Sequence, residues 1–211
     1  MNVIQVFWGE IDEKQFSEEA ISAGNSALPQ AFQLDWAVAN EKKKLSFLVK
    51  LKWAELMKKE FGIDDALRFF RKMDSGKPYL DGHQISFNLS HTQKMVGIAF
   101  SSEGEIGVDL QGHKKFNPLI TQRVFCPEEA LAFEKSNEPE RFFFDTWSKK
   151  EAAVKATGDG IKVGLKSFST LNHYAQIAAA KVHLESLTLK PYLSAAVGST
   201  LPIDQLKVQS F

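Results

Sequence analysis

The chain has 211 residues, of which 44% are hydrophobic and 25% are charged, and its 26 basic and 26 acidic side chains give a formal net charge of zero. This balance argues against a nucleic-acid partner, and no apolar run reaches the roughly 20 residues needed to cross a bilayer. The length suits one large domain or two small ones.

The N-terminal residues MNVIQVFWGE lack the basic and long apolar segments of a secretory signal, so the sequence predicts a cytoplasmic protein. The single cysteine, Cys126, cannot form an intrachain disulfide, and we expect it to fill part of the core.

The elements can be predicted in chain order from periodicity and turn residues. Val3–Trp8 is rich in strand formers, and leucines at helical spacing predict a long helix over Val38–Phe61 that ends at Gly62. Further strands are predicted at Ile85–Leu89, Met95–Phe100, Glu105–Leu110, Ser167–Thr170, Lys181–Glu185 and Tyr192–Val197, and further helices at Pro127–Phe133 and Arg141–Thr157. Together they predict an α+β protein.

A faint internal similarity relates the two halves of the chain. Met95–Phe100 and Tyr192–Val197 occupy similar places, each after a helix that carries lysines. This similarity is consistent with two packed α+β lobes, which we expect to span residues 1–104 and 105–211.

The segment Ile106–Gln111 alternates as a strand does. Its apolar residues would face a core, whereas Gly107, Asp109 and Gln111 would face the other way, with the carboxylate and the amide about 7 Å apart. Such oxygens suit a hard cation, although an ordinary aspartate on an exposed edge would give the same pattern.

The segment Trp147–Lys155 is predicted to be helical, so Trp147, Glu151 and Lys155 share a face. Glu151 could bind a metal while Lys155 reaches phosphate oxygens. An exposed Glu–Lys pair is the alternative, but a tryptophan on the same face is unusual for a fully solvated stripe.

Two polar turns could bind anions. Phe87–Thr92 runs from a strand into a turn with Ser90 and His91, which offer a hydroxyl, a ring nitrogen and backbone N–H groups. Gly76–Pro78 is a second turn, with Lys77 at its centre. Each could equally be a plain surface turn.

Taken in order, these segments resemble the Sfp-type 4′-phosphopantetheinyl transferase superfamily. The family pattern G-[VI]-D, then W-[ST]-x-K-E-[AS]-x-x-K, is found at Gly107–Asp109 and Trp147–Lys155. Its G-K-P and F-N-x-S-H elements are found at Gly76–Pro78 and Phe87–His91, and Lys155–Ile161 resembles its K-x-x-G-x-G-[LI] continuation. The similar region covers residues 41–170.

The resemblance implies two similar lobes in a pseudo-two-fold arrangement, with coenzyme A between them. It implies that the protein is an enzyme that transfers the 4′-phosphopantetheine arm of coenzyme A to a serine of an apo carrier protein, with Mg²⁺, and releases 3′,5′-ADP. A single two-lobed chain would act as a monomer.

The resemblance also implies site residues. Asp109 and Glu151 would bind Mg²⁺, and Lys155 would contact the pyrophosphate. Ser90 and His91 would hold phosphates of coenzyme A. The further residues implied are Lys77 and Pro78 at the adenine, Lys44 at a basic position, Glu129 at an acidic position, and residues between Pro118 and Phe133 as contacts of the carrier.

Gln111 departs from the family pattern, in which a glutamate often supplies a third metal ligand. Because an amide binds Mg²⁺ more weakly than a carboxylate, we expect an active site with altered metal preference. Glu151, Glu129 or a metal-bound water could accept the proton of the carrier serine.

Two other functions fit the same residues. A coenzyme A-binding protein without activity would keep the fold, although the presence of both carboxylates and Lys155 argues against it. A Mg²⁺-dependent hydrolase of nucleotide diphosphates would also use phosphate-facing lysines with two carboxylates.

Overall fold

The computed structural model describes residues 1–93, 95–115, 118–160 and 163–211. Within these ranges it contains helices and sheets in which every strand pair but one is antiparallel, which confirms the predicted α+β class. None of the described helices combines the length and apolarity required to cross a bilayer.

The first sheet combines the two ends of the chain. Its strands are β1 (Val3–Glu10), β4 (Ser86–Thr92), β5 (Met95–Ser101) and β10 (Gln205–Ser210), in the order β10-β1-β5-β4. Strand β10 pairs with β1 in parallel, and the other pairs are antiparallel. The last strand of the chain therefore completes the sheet that the first strand begins.

The second sheet is formed by the C-terminal half. Its strands are β6 (Ile106–Gly112), β7 (Tyr174–Ile177), β8 (Ala180–Lys190) and β9 (Leu193–Ser199), in the order β6-β9-β8-β7. A two-stranded ribbon, β2 (Phe70–Lys72) and β3 (Pro78–Leu80), lies apart from both sheets. The predicted pseudo-two-fold relation and the division at residue 104 stay predictions.

The described part of the chain contains five α-helices. They are α1 (Glu18–Ala27), α2 (Glu41–Phe61), α3 (Thr121–Val124), α4 (Pro127–Glu134) and α5 (Pro139–Thr157). Helix α5 packs on strands of the second sheet. Asn40 caps α2 through a bond from Lys43 N–H, so the helix begins at Glu41 and not at Val38. Gly62 ends it with a φ of 68°, as its sequence predicts.

The two sheets meet along strands β4 and β6, through side chains. Three backbone N–H groups of β6 donate to side-chain oxygens of β4, which satisfies an edge that would otherwise be unpaired. These bonds join Ile106 N–H to Ser86 Oγ at 3.3 Å, Val108 N–H to Asn88 Oδ1 at 3.0 Å and Leu110 N–H to Ser90 Oγ at 3.1 Å. The polar residues at every second position of β4 thus join the sheets.

Alternation along β6 divides its side chains between two environments, as predicted. Ile106, Val108 and Leu110 belong to a buried cluster that contains residues of both sheets. Gly107 and Asp109 face helix α5. A Cβ at position 107 would collide with Ala152 O, so the glycine is required by the approach of the helix.

Two local predictions were wrong. Ser167–Thr170 is not a strand, because residues 165–167 form a 3₁₀ turn and the carbonyls of Leu165 and Phe168 accept bonds from Lys150. Ser90–Thr92 does not form the turn between β4 and β5 but continues strand β4, and the chain reverses only at Gln93, whose φ is 50°.

Candidate active site

A cleft of about 510 Å³ opens along helix α5. One wall is the turn before β3, another is strand β4, and the rest is α5 with the segment that follows it. The lining residues are Ser75, Gly76, Lys77, Pro78, Asn88, Leu89, Glu151, Val154, Lys155, Gly158, Gly160, Val163, Gly164 and Leu165. Segments from both halves of the chain therefore form one cavity.

Lys155 connects the cleft to strand β6. Its Nζ donates to Asp109 Oδ1 at 2.6 Å, to Val108 O at 3.0 Å and to Ser90 Oγ at 3.3 Å. Asp109 is only 4% exposed, and the side chain of Lys155 is 28% exposed. Asp109 is therefore not an ordinary aspartate on an exposed edge, and Lys155 is not a fully solvated surface lysine.

The carboxylate of Asp109 accepts two further bonds. Ser90 Oγ donates to Oδ1 at 3.2 Å, and Gln111 Nε2 donates to Oδ2 at 2.6 Å. Both oxygens of Asp109 therefore have donors. Gln111 acts here as a donor to the carboxylate, a role that its predicted use as a metal ligand did not anticipate.

Glu151 lies one helical turn before Lys155 and faces the same cleft. Burial raises the pKa of Glu151, and the charge of Asp109 raises it further; Lys155 and a hydrogen bond from Trp147 act in the opposite direction. Glu151 and Lys155, two members of the helical face predicted from the sequence, therefore line the cleft, whereas Trp147 does not line it and packs against a buried cluster that contains Phe143.

Two repelling carboxylates are a suitable donor set for a hard cation. A divalent ion between Asp109 and Glu151 would remove the repulsion that raises the pKa of Glu151. No group of three or more His, Cys, Asp or Glu side chains converges in the described ranges. The remaining ligands would have to be oxygens of a substrate or water.

Basic groups surround His91. Its pKa is lowered by burial and then by the charges of Lys155, Lys42 and Lys50. Burial and Lys72 lower the pKa of Lys50 to about 8. Charges of one sign in this place favour an anion, and the sequence did not single out Lys42 or Lys50 individually.

Lys44 and Lys77 have partners other than those the sequence implied. The ammonium of Lys44 lies 5.2 Å from the centre of the Trp36 ring, and Lys44 does not line the cleft. Lys77 does line the cleft, next to Pro78, but its Nζ donates to Ala156 O and pairs with Glu105, each at 2.7 Å. Lys77 therefore holds the turn against α5.

Glu129 is not at the cleft. It is fully buried and forms an ion pair at 2.8 Å with Lys150, which is also fully buried. Burial raises the pKa of the Cys126 thiol, as expected for a residue that fills the core. Nothing in the spacing of Glu129 and Lys150 indicates that they pair, because a turn and part of a helix separate them in the chain.

Comparison with known proteins confirms the resemblance. Residues 105–201 match the model of the 4′-phosphopantetheinyl transferase superfamily. The chain is 32% identical over 114 residues to a 4′-phosphopantetheinyl transferase of Bacillus subtilis, across 53% of this chain and 50% of the relative. It is 31% identical over 122 residues to the 4′-phosphopantetheinyl transferase Sfp of Bacillus subtilis strain 168, across 56% and 54%.

A putative 4′-phosphopantetheinyl transferase of Synechocystis is 41% identical over 97 residues, across 43% of this chain and 39% of the relative. The chain thus spans about half the length of the curated relatives that it matches. The match to the superfamily includes Asp109, Gln111, Glu151 and Lys155, whereas Lys77, Ser90 and His91 precede it. The superfamily is consistent with a divalent metal and coenzyme A.

Proposed function

We propose that this protein is a 4′-phosphopantetheinyl transferase, which moves the phosphopantetheine arm of coenzyme A to a serine of an apo carrier protein with Mg²⁺. The observation that supports this most is that Glu151 and Lys155 line one cleft and that Lys155 is paired with the buried Asp109. The similarity to named transferases supports the same chemistry.

Coenzyme A would bind in the cleft with its phosphates toward the basic groups. Lys155, which lines the cleft, would contact them together with Ser90, to which it donates, and His91. Ser90 and His91 are not themselves among the residues that line the cleft, and Lys42 and Lys50 would add positive charge near His91. The bond from Lys155 to Ser90 Oγ, at 3.3 Å, is the longest of its three and is the one that a phosphate oxygen would most easily replace.

The reaction would form a bond between the carrier serine oxygen and the β-phosphorus and break the bond from that phosphorus to the bridging oxygen. Positioning and charge neutralisation dominate such transfers. Glu151 would accept the serine proton. Lys155 would stabilise the 3′,5′-ADP that leaves. Mg²⁺ held by Asp109 and Glu151 would neutralise charge on the pyrophosphate oxygens.

The carrier protein would approach beside the cleft. Residues 118–133 include the exposed side chains of Leu119 and Leu131, which are 64% and 58% exposed and could contact an apolar part of the carrier. The monomeric state and cytoplasmic location stay predictions from the sequence.

The decisive experiment incubates the protein with coenzyme A, Mg²⁺ and an apo carrier protein and measures the intact mass of the carrier. Transfer adds about 340 Da, the mass of the arm. Free phosphopantetheine without an adduct would instead indicate a hydrolase, and unchanged coenzyme A a binding protein. Either result would refute the proposal.

A matched pair of variants tests the site. Glu151→Gln should lower the transfer rate at saturating Mg²⁺ by a factor of 100 or more, roughly the contribution of a general base. Glu140→Gln makes the same change at an exposed position of helix α5 and should leave the rate unchanged.

A further inference from the structure

A buried ion pair lies behind the cleft wall. Lys150 and Glu129 are both fully buried, and Lys150 Nζ lies 2.8 Å from Glu129 Oε2. The ammonium also donates to the carbonyls of Leu165 and Phe168, at 2.7 and 2.5 Å. All three donors of the ammonium therefore have acceptors, two of them in the chain segment that follows α5.

Glu129 holds the same segment from the other side. Its Oε1 accepts from Thr170 N–H at 2.8 Å and from Thr170 Oγ1 at 3.0 Å, and its Oε2 accepts from Cys126 N–H at 3.1 Å. The carboxylate is thus fully hydrogen-bonded within the protein. Such a pair is costly to break at one end, because the remaining charge would be buried without a partner.

The segment so held forms part of the cleft. Val163, Gly164 and Leu165 line it, and between Leu165 and Thr170 the chain has only one 3₁₀ turn of its own. Hydrogen bonds from the side chains of Lys150 and Glu129 therefore hold this segment, in place of the backbone hydrogen bonds that a strand would have. Apolar contacts of Leu165 and Phe168 supplement them.

Lys150 and Glu151 are neighbours on α5 but point to different sides. Lys150 is directed to the segment behind the wall, whereas Glu151 lines the cleft. Helix α5 thus carries both Glu151, the proposed general base, and Lys150, which holds the segment that forms the wall. Any shift of the wall relative to Glu151 requires bonds to Lys150 to break.

We propose that Lys150 and Glu129 are positioning residues: by their bonds to the segment 165–170 they hold the cleft wall at Val163–Leu165 at the distance from α5 that coenzyme A binding requires. This inference rests on the proposed function, because it takes coenzyme A as the ligand of the cleft. It gives Glu129 a role other than that of a general base, since the carboxylate is fully buried and is bonded to Cys126, Thr170 and Lys150.

The test measures coenzyme A affinity by calorimetry and transfer kinetics with an apo carrier. Lys150→Met should weaken coenzyme A binding and raise its KM about tenfold, because an unheld wall must be ordered on binding. The kcat at saturating coenzyme A should fall by less than about threefold, since Glu151 and Lys155 stay in place. Lys149→Met, the same change at the preceding position of α5, should alter neither value.

A second variant separates positioning from folding. Lys150→Met leaves Glu129 charged and buried, which could prevent folding, whereas Glu129→Gln/Lys150→Met removes both charges and should recover much of the stability. The double variant still lacks the bonds to Leu165 and Phe168, so its coenzyme A affinity should stay about tenfold weaker. Recovery of affinity together with stability would overturn the inference.

Amide hydrogen exchange gives a readout that needs no ligand. The Thr170 amide donates to Glu129, so it should exchange faster in Glu129→Ala than in Met57→Ala, a control in a separate buried cluster that contains Phe47 and Trp53. Binding of coenzyme A without transfer by the unmodified protein would refute the proposed function but leave the affinity test valid. If the unmodified protein binds no coenzyme A, the inference is overturned together with the proposed function, whereas unchanged protection of Thr170 in Glu129→Ala would overturn the inference alone.

Discussion

Replacing Gln111 by glutamate places a second carboxylate beside Asp109. The change in the free energy of unfolding shows how much this destabilises the protein when no cation is bound. In the structure Gln111 Nε2 donates to Asp109 Oδ2 at 2.6 Å. A hydrogen bond to a charged group contributes about 1.5–3 kcal/mol, which Gln111→Glu removes. Two carboxylates about 4 Å apart would add a repulsion of up to about 4 kcal/mol at an effective dielectric constant of 20. Protonation and movement of the new side chain would relieve part of this repulsion.

We therefore expect the free energy of unfolding of Gln111→Glu to fall by about 2–4 kcal/mol in chelator, and Mg²⁺ to restore most of it. Urea denaturation with and without Mg²⁺ measures both values. Gln111→Met is the matched control: it loses the hydrogen bond without adding charge, so Mg²⁺ should not restore its stability. Equal stability of Gln111→Glu and the unmodified protein in chelator, with equal responses to Mg²⁺, would refute the reasoning.

Three further predictions concern packing and titration. Gly107→Ala would force a Cβ against Ala152 O, and urea denaturation should show a loss of about 1–3 kcal/mol, or more if the helix cannot move; an unchanged midpoint would contradict the close approach of α5. Burial and the charge of Asp109 raise the pKa of Glu151. The contribution of Glu151 to the free energy of unfolding is therefore fully present below the ordinary carboxylate pKa of about 4.3, and it is lost as pH rises through the raised pKa of Glu151 in the folded protein. Without metal, Glu151→Gln should therefore be more stable than the unmodified protein at pH 7 but not at pH 3.5, and equal thermal midpoints at both would count against it. Burial lowers the pKa of Lys50 from 10.5 to about 8, so stability from this group is present above pH 10.5 and is lost as pH falls through 8. Lys50→Met should thus raise the thermal midpoint at pH 7 and lose that advantage at high pH, and a lower midpoint at pH 7 would refute this.

Local patterns predicted the parts of the site that depend on neighbours in the chain. The period of two in β6 separated Asp109 from the apolar residues of that strand, and the helical period placed Glu151 and Lys155 on one face. The αL glycine at position 62 ends helix α2 as predicted, whereas the asparagine cap at position 40 was missed, although it too acts within a few residues of the helix end. Periodicity and capping are short-range effects, so sequence carries them directly.

The strand predicted at Ser167–Thr170 was wrong for a long-range reason. Its residues resemble a strand, but the carbonyls of Leu165 and Phe168 accept from Lys150, which lies 15 and 18 positions earlier. A buried lysine is uncommon, and its sequence neighbours give no sign that it will be paired with Glu129. Burial of that charge decided the conformation of the segment.

The sequence by itself determined which chemistry the chain carries: the carboxylates Asp109 and Glu151, Lys155, and the motifs that resemble the transferase superfamily. Tertiary structure alone decided how these groups pair, because Lys155 and Asp109 are 46 positions apart and meet only where Gly107 admits helix α5 to strand β6. It also made Gln111 a hydrogen-bond donor to Asp109 and Glu129 the partner of Lys150. Contacts of this kind depend on distances between remote segments, which no local pattern of residues encodes.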